Sequence, residues 1–390
     1  MTHSSSYSGS KGANRLSKKM RVLFFINTLY TGGAEKVLVD VANQLSQNNY
    51  EVTIVSVLGG PLAAGLSNLV KSKTLIQSEN RLVKYILERI YFKLLPYRLF
   101  GKLFLKGDFD VRIAYVQGFP TNVLAKLNDT RAAKIAFIHS DFSKRDDIYK
   151  YYRTKEECLS EYQSFDKVCF VANAAKDGFF KTIGELDNAM VIHNVIDVDA
   201  VRKLSLQPVD DEYHTTGLKI ITVGRLSSVK AFDRLIRISS FLKTTGIEHE
   251  IWIVGEGEQR KQLEDLIIQK GVNDTVKLLG YKSNPYQYVV KSDLYVCSSL
   301  FEGYSTSVAE ALALGVPVLT TQCSGMDEIL HNGEFGTIVS NDEDSLRNEL
   351  YRIAHDQSVL EQYRNRAFSG RACYSPENSL REYDALFNDL

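Results

Sequence analysis

Two cations, two carboxylates and a few glycine-bearing turns are spaced in this sequence as chemistry would need them. Arg225 follows Gly224 at the end of the apolar run Ile220 to Val223, and Lys230 comes five residues later, where a strand gives way to a helix. At the carboxyl end of one strand such a pair suits a diphosphate, arginine offering a planar fork and lysine a compact charge. Solvation of an ordinary surface turn is the alternative. Glu302 and Glu310 bracket Gly303-Tyr304-Ser305-Thr306-Ser307, again between a strand and a helix. Carboxylates accept paired sugar hydroxyls, and a helix opening near Ser305 and Thr306 offers free N–H groups to a phosphate. Carboxylates at this spacing also arise by chance, and Glu310 alone could be a solvated helix residue. Their order on the same sheet edge as Arg225 and Lys230 favours a site. Two further turns join them. Gly32-Gly33-Ala34-Glu35 links a strand ending in Asn27 to the helix Lys36 to Leu45, where paired glycines let backbone approach a ligand closely. Val254-Gly255-Glu256-Gly257-Glu258 repeats the arrangement. Either turn taken alone is an ordinary strand-to-helix connection.

The elements that must position these loops follow from periodicity. After Met20, short β-branched or aromatic runs alternate with amphipathic stretches of helical length, the pattern of βαβ units around a parallel sheet. First-half strands are expected at Arg21 to Asn27, Glu51 to Val57, Val111 to Val116, Lys134 to Ile138, Lys167 to Val171 and Ala189 to Ile192. A second series is expected at Lys219 to Val223, Glu250 to Val254, Thr275 to Leu278, Leu294 to Cys297, Pro317 to Leu319 and Gly336 to Val339. The Asp-rich stretch from Asp197 to Gly217, carrying Pro208, breaks the rhythm and reads as the connection. The expected division is a disordered extension over 1–20, a first Rossmann-like domain over 21–200, a second over 201–374, and a helix within 375–390 packing back on the first domain. In doubly wound sheets ligands collect at the carboxyl ends of the strands, so two facing domains share one crevice.

Composition excludes several classes. A chain of 390 residues exceeds one ordinary core, and its 47 basic and 47 acidic residues cancel, leaving no global field to hold nucleic acid. The five cysteines, Cys158, Cys169, Cys297, Cys323 and Cys373, are odd in number, form no C-x-x-C pair and read as reduced, packed cytosolic thiols. No apolar run reaches the roughly 18 residues of a spanning helix, and no signal peptide is evident. Two D-x-D patterns, Asp108-Phe109-Asp110 and Asp197-Val198-Asp199, lie away from the loops above, and the seven histidines lack ligand spacing, so no metal is expected.

The order Gly32-Gly33-Ala34-Glu35, Gly224-Arg225-Leu226 with Lys230, Glu256-Gly257, then Glu302 and Glu310 resembles the retaining glycosyltransferases of family 4, which have the GT-B fold. The resemblance covers nearly the whole chain from Met20. It implies a nucleotide-sugar donor, a UDP-sugar in most such families, as substrate with no resident cofactor, and a glycan or lipid-linked acceptor of a surface polysaccharide. The first domain is implied to be the acceptor side and the second to bind the nucleotide sugar. Glu302 and Glu310 match the E-x7-E signature, the first implied near the donor sugar and the second on the ribose. Arg225 and Lys230 match the diphosphate pair, Gly33 the loop beneath it, and His139 a histidine beside the transferred sugar. Gly303, Tyr304, Ser305 and Thr306 line the same donor turn, and Tyr281 falls where the family meets the nucleobase. Two departures concern loop geometry. Ala231 stands where the family commonly has glycine, and the N-G-[IV]-D turn appears as Asn194-Val195-Ile196-Asp197.

One segment belongs to none of these loops. From Arg81 to Lys106 there are seven basic residues against the single acid Glu88, interleaved with leucines and aromatics and divided by Pro96 into two expected helices. Such composition suits an in-plane helix on an anionic membrane, making the enzyme cytoplasmic and peripheral, while an amphipathic helix with its apolar side in the core is the competing reading. Two other functions keep the same cleft: a sugar-nucleotide epimerase, and a noncatalytic partner subunit.

Overall fold

The computed structural model describes residues 19–30, 32–77, 80–144, 151–209, 213–374 and 380–390. The expected extension over 1–20 lies outside them but for its last two residues. Among the described residues the strands form two wholly parallel sheets. The first contains β1 (Met20–Thr28), β2 (Tyr50–Leu58), β3 (Lys71–Ile76), β4 (Val111–Ala114), β5 (Ala133–Ile138), β6 (Lys167–Phe170) and β7 (Ala189–Val191), in the order β3-β2-β1-β4-β5-β6-β7. The second contains β8 (Leu218–Val223), β9 (His249–Val254), β10 (Val276–Gly280), β11 (Leu294–Cys297), β12 (Val318–Thr321) and β13 (Thr337–Val339), in the order β10-β9-β8-β11-β12-β13.

The apolar runs explain the parallel pairing. In β1, Val22, Phe24 and Ile26 enter one core while Leu23 and Phe25 enter another, so both faces are covered by helices. Ile220 and Ile221 of β8 divide between two cores in the same way. Burial on both sides leaves the strand ends as the places where polar side chains can gather. Strand β3 was not expected. Its sequence Lys-Ser-Lys-Thr-Leu-Ile is polar because it is the sheet edge, where lysines keep an open ladder from pairing with another chain.

The crossing between cores lies earlier than the expected boundary at 200. Ile192 and Val195 pack in the first domain, whereas Ile196, Val198 and Val201 pack in the second. Asp197 caps the helix Val198–Ser205 by accepting from the Ala200 N–H at 2.9 Å. The chain then returns. Leu380, Tyr383, Leu386 and Phe387, in and just ahead of the helix Arg381–Asn388, are buried in the first-domain core; residues 375–379 lie outside the described set. Four cysteines are buried as expected, but Cys373 is exposed.

Candidate active site

The loops at the carboxyl ends of the two sheets meet. Gly32 caps the helix Gly33–Gln47. A Cβ on Gly33 would stand 3.7 Å from Thr306 Oγ1, so the first domain's glycine turn rests against the start of the second domain's helix Thr306–Ala313. Ser305 is the N-cap of that helix; its side chain makes no capping bond, its hydroxyl standing 3.3 Å from that of Ser307. Gly303 explains how the domains come so near. Any Cβ there would overlap the carbonyl oxygen of His139, at the end of β5.

Lys230 and Glu302, far apart in sequence, are partners. The Lys230 ammonium donates to Glu302 Oε1 at 2.6 Å, and the Ser299 hydroxyl donates to the same oxygen at 2.6 Å. Burial pulls the Lys230 pKa down, but the Glu302 carboxylate more than reverses this and holds it above the ordinary range. Lys230 ends a short 3-10 turn, and the chain leaves it through Ala231 in the left-handed region, at φ 48° and ψ 43°. The family's preference for glycine after the lysine thus has a steric basis here, and alanine bears about 1 kcal/mol of strain.

Arg225 is separate. Its side chain is 72% exposed and its one ion pair among the described residues is with Glu258 at 3.3 Å. The turns around it are pressed together: Gly255 has φ +149° and a Cβ there would overlap the Gly224 carbonyl. Leu226 N–H donates to the Glu256 carbonyl at 2.9 Å, and the Glu256 side chain accepts from Arg260 at 2.5 Å. Gly257 packs on Leu226. Tyr281 follows Gly280 beside this turn, half exposed.

Glu310 is buried and engaged on one oxygen by two groups. Lys36 Nζ, from the first domain, lies 2.9 Å from its Oε1, and the Tyr286 hydroxyl donates to that atom at 2.9 Å. Lys36 also binds Asp40 at 2.7 Å. Desolvation pushes the Asp40 carboxyl up to about 6 against the pull of Lys36. His139 has a buried Nε2 without a hydrogen-bond partner, its ring is 4.9 Å from Tyr115, and burial pushes its pKa down to about 4. It is therefore neutral near pH 7, with a polar atom to offer.

The Tyr304 ring lies at the interdomain wall, packed against both domain cores, 5.8 Å from the His193 ring and bonded to Tyr374. Along that wall lie residues that sequence reasoning missed. Ser324 donates to Asp141 at 2.8 Å. Glu328 accepts from the backbone N–H of Asn173, at the start of the helix Asn173–Thr182, at 2.8 Å, and lies 2.8 Å from His193 Nε2. His193 Nδ1 is 2.8 Å from Glu382 on the returning helix. Only the i,i+4 pair of Lys36 with Asp40 left a signal in the sequence; the rest are contacts between distant elements. Of the D-x-D patterns, Asp108 and Asp110 hold Arg21, and Asp197 is the helix cap already described. A cavity of about 830 Å3 lies elsewhere, at the β9 and β10 edge around Trp252, Arg260 and Lys277.

Residues 31–200 match the family model "Glycosyltransferase Family 4", and residues 209–369 match "Glycosyl transferases group 1". The chain belongs to the family 4 glycosyltransferases. This glycosyltransferase is 32% identical over 181 residues to the N-acetylgalactosamine-N,N'-diacetylbacillosaminyl-diphospho-undecaprenol 4-alpha-N-acetylgalactosaminyltransferase of Campylobacter jejuni, covering 45% of this chain and 47% of that protein. The match thus spans about half the length of that relative. An uncharacterized glycosyltransferase of Haemophilus influenzae is 26% identical over 355 residues, 86% of this chain and 93% of that one. Among solved structures, Anabaena HepE in complex with UDP superposes with a TM-score of 0.72 at 18% identity, over 95% of this chain and all of that one. That likeness concerns the fold, which is GT-B.

Proposed function

We propose that this glycosyltransferase moves a hexose or N-acetylhexosamine from a UDP-sugar to a glycan or lipid-linked acceptor, with retention of configuration and without a metal ion. The observation that carries this is the Lys230 and Glu302 pair, held at 2.6 Å, with Glu302 in the loop that leads into the helix Thr306–Ala313, whose Thr306 faces Gly33. Negative charge builds on the departing diphosphate, and Lys230, Arg225 and the free N–H groups of that helix would meet it. Glu302 would receive sugar hydroxyls and Glu310 the ribose. The proton of the acceptor hydroxyl would pass to a donor phosphate oxygen on the face of attack, so no enzymic nucleophile is required. The Campylobacter relative is named for a diphospho-undecaprenol acceptor, and HepE was crystallised with UDP; both agree with this reading.

A membrane surface completes the proposal. The segment folds as the helix Arg81–Arg89, a π turn Ile90–Leu94 and the helix Tyr97–Phe104, opened by Pro96. Tyr91, Phe92, Phe100 and Phe104 pack on the first-domain core, while Leu82 and Leu94 are 66% and 72% exposed among the lysines. One side is thus core and the other carries the apolar and basic groups an anionic leaflet would take. Among the described residues no helix is long and apolar enough to cross a membrane.

The test is incubation with a panel of nucleotide sugars, with and without EDTA, following nucleotide release. Release from one donor, unaffected by chelation, is expected. Loss with EDTA, restored by manganese, refutes metal independence; conversion of donor into a new sugar nucleotide without acceptor identifies an epimerase; inertness toward every donor identifies a binding subunit.

A further inference from the structure

The carboxylate assigned to the ribose is not completed by its own domain. Glu310 sits on the helix Thr306–Ala313, buried, with Oε1 shared between the Tyr286 hydroxyl of its own domain and the Lys36 ammonium of the other. Lys36 stands in the first turn of the helix Gly33–Gln47, directly behind the glycine turn that touches Thr306. Asp40, one turn further on, binds the same ammonium and fixes its position. Asp40, Lys36, Glu310 and Tyr286 therefore form one chain of charge-assisted bonds crossing the cleft. Breaking it leaves Glu310 buried without its cation.

A carboxylate has about four lone-pair sites, and two on Oε1 are in use. The remaining oxygen is the one left for paired hydroxyls. Its direction is set by the two bonds on its neighbour, and one of those comes from the opposite domain.

We infer that Lys36 is a positioning residue for the nucleotide: by clamping Glu310 from the opposite domain it aims the carboxylate at the ribose hydroxyls and couples ribose recognition to domain closure. This rests on the assignment of Glu310 to the ribose. Lys36 acts through Glu310 and touches neither the sugar nor the diphosphate. Linkage follows, because a ligand that needs the oriented carboxylate favours the closed form in which Lys36 reaches it.

The experiment is a binding cycle by titration calorimetry. UDP, GDP and ADP are each compared with their 2′,3′-dideoxy forms on wild type, Lys36→Gln, Lys36→Arg and Glu310→Gln, with melting curves confirming that each variant is folded. For the base that binds, Lys36→Gln should weaken the ribonucleotide about tenfold, the effect of losing one charge-assisted bond, and leave the dideoxy form unchanged. Lys36→Arg should restore most of the difference. Glu310→Gln should erase discrimination between the two forms. If Glu310→Gln still discriminates, or no ribonucleotide binds wild type, the ribose assignment fails and the inference with it. If Glu310→Gln behaves as expected but Lys36→Gln weakens both forms equally, or neither, the inference alone is overturned. Tighter binding by Lys36→Gln overturns it too, showing that Lys36 occupies the ribose seat.

Discussion

Replacing Lys230 with alanine separates the two roles the structure gives that side chain. The ammonium is proposed to meet the departing diphosphate, and it is also the 2.6 Å partner of Glu302, with the two side chains 21% and 12% exposed. Loss of one preorganised donor to a developing anion costs about 3 kcal/mol of transition-state stabilisation, so turnover should fall by roughly 100-fold. Stability should fall as well. A fully buried pair broken on one side costs 3 to 5 kcal/mol and an exposed one about 1, and Glu302 keeps the Ser299 hydroxyl, so about 2 to 3 kcal/mol is expected. For a domain of this size that lowers the melting temperature by on the order of 5 to 10 °C. Arg225→Ala is the contrasting arm, since its exposed side chain anchors nothing in the core. It should lose turnover with a stability change within about 0.5 kcal/mol. Pairing Lys230→Met with Glu302→Gln should recover most of the stability and none of the turnover. Scanning calorimetry and single-turnover release of nucleotide read both quantities. Near-normal turnover in a folded Lys230→Ala protein would refute the diphosphate role and leave the lysine as the counter-ion of Glu302. A stability loss in Arg225→Ala equal to that of Lys230→Ala would refute the distinction.

Three more outcomes are expected. Ala231→Gly should raise stability by up to about 1 kcal/mol, because the left-handed backbone at φ 48° costs alanine but not glycine; a lower melting temperature would contradict that. His193 has its pKa raised from 6.5 to about 9 by its bonds to Glu328 and Glu382, against desolvation, with the Tyr304 ring beside it. A raised folded pKa stabilises fully below pH 6.5 and is lost as pH climbs through 9, so the melting temperature of wild type should fall over that window more steeply than that of His193→Gln; parallel profiles would exclude the clasp. Glutamate at Arg98, Lys102 and Lys106 together should release the protein from anionic vesicles at low salt, at roughly 1 kcal/mol per basic residue lost, while donor hydrolysis persists. Failure of wild type to sediment with such vesicles refutes the membrane surface.

What the sequence made legible, and what it did not, divides along a physical line. Strands such as Leu294–Cys297, buried on both faces, show as continuous apolar runs, and the loops after them show as glycine, cation or carboxylate at the end of a run. The edge strand Lys71–Ile76 does not, because its solvent face removes the apolar signal. The site divides in the same way. Arg225, Lys230 and Glu302 are legible as residue types in the loops that follow strands, and each lies in such a loop, whereas Glu310 lies within the helix Thr306–Ala313 that the last of these loops opens. Their partners were not visible, since Lys230 finds Glu302 across β8 and β11, and Glu310 finds Lys36 across the cleft. Periodicity reports which face of an element is buried. It carries nothing about which element of the other domain arrives opposite, so the contact of the Tyr304 ring with His193 on the interdomain wall leaves no trace in it. The same wall holds Ser324 on Asp141 and Glu328 on Asn173 and His193, so the first domain's helix start and strand ends are bound by side chains of the second. The two GT-B domains are therefore joined across this wall by polar side chains of both, Asp141, Asn173 and His193 from the first and Ser324 and Glu328 from the second, each found by a residue far from it in sequence.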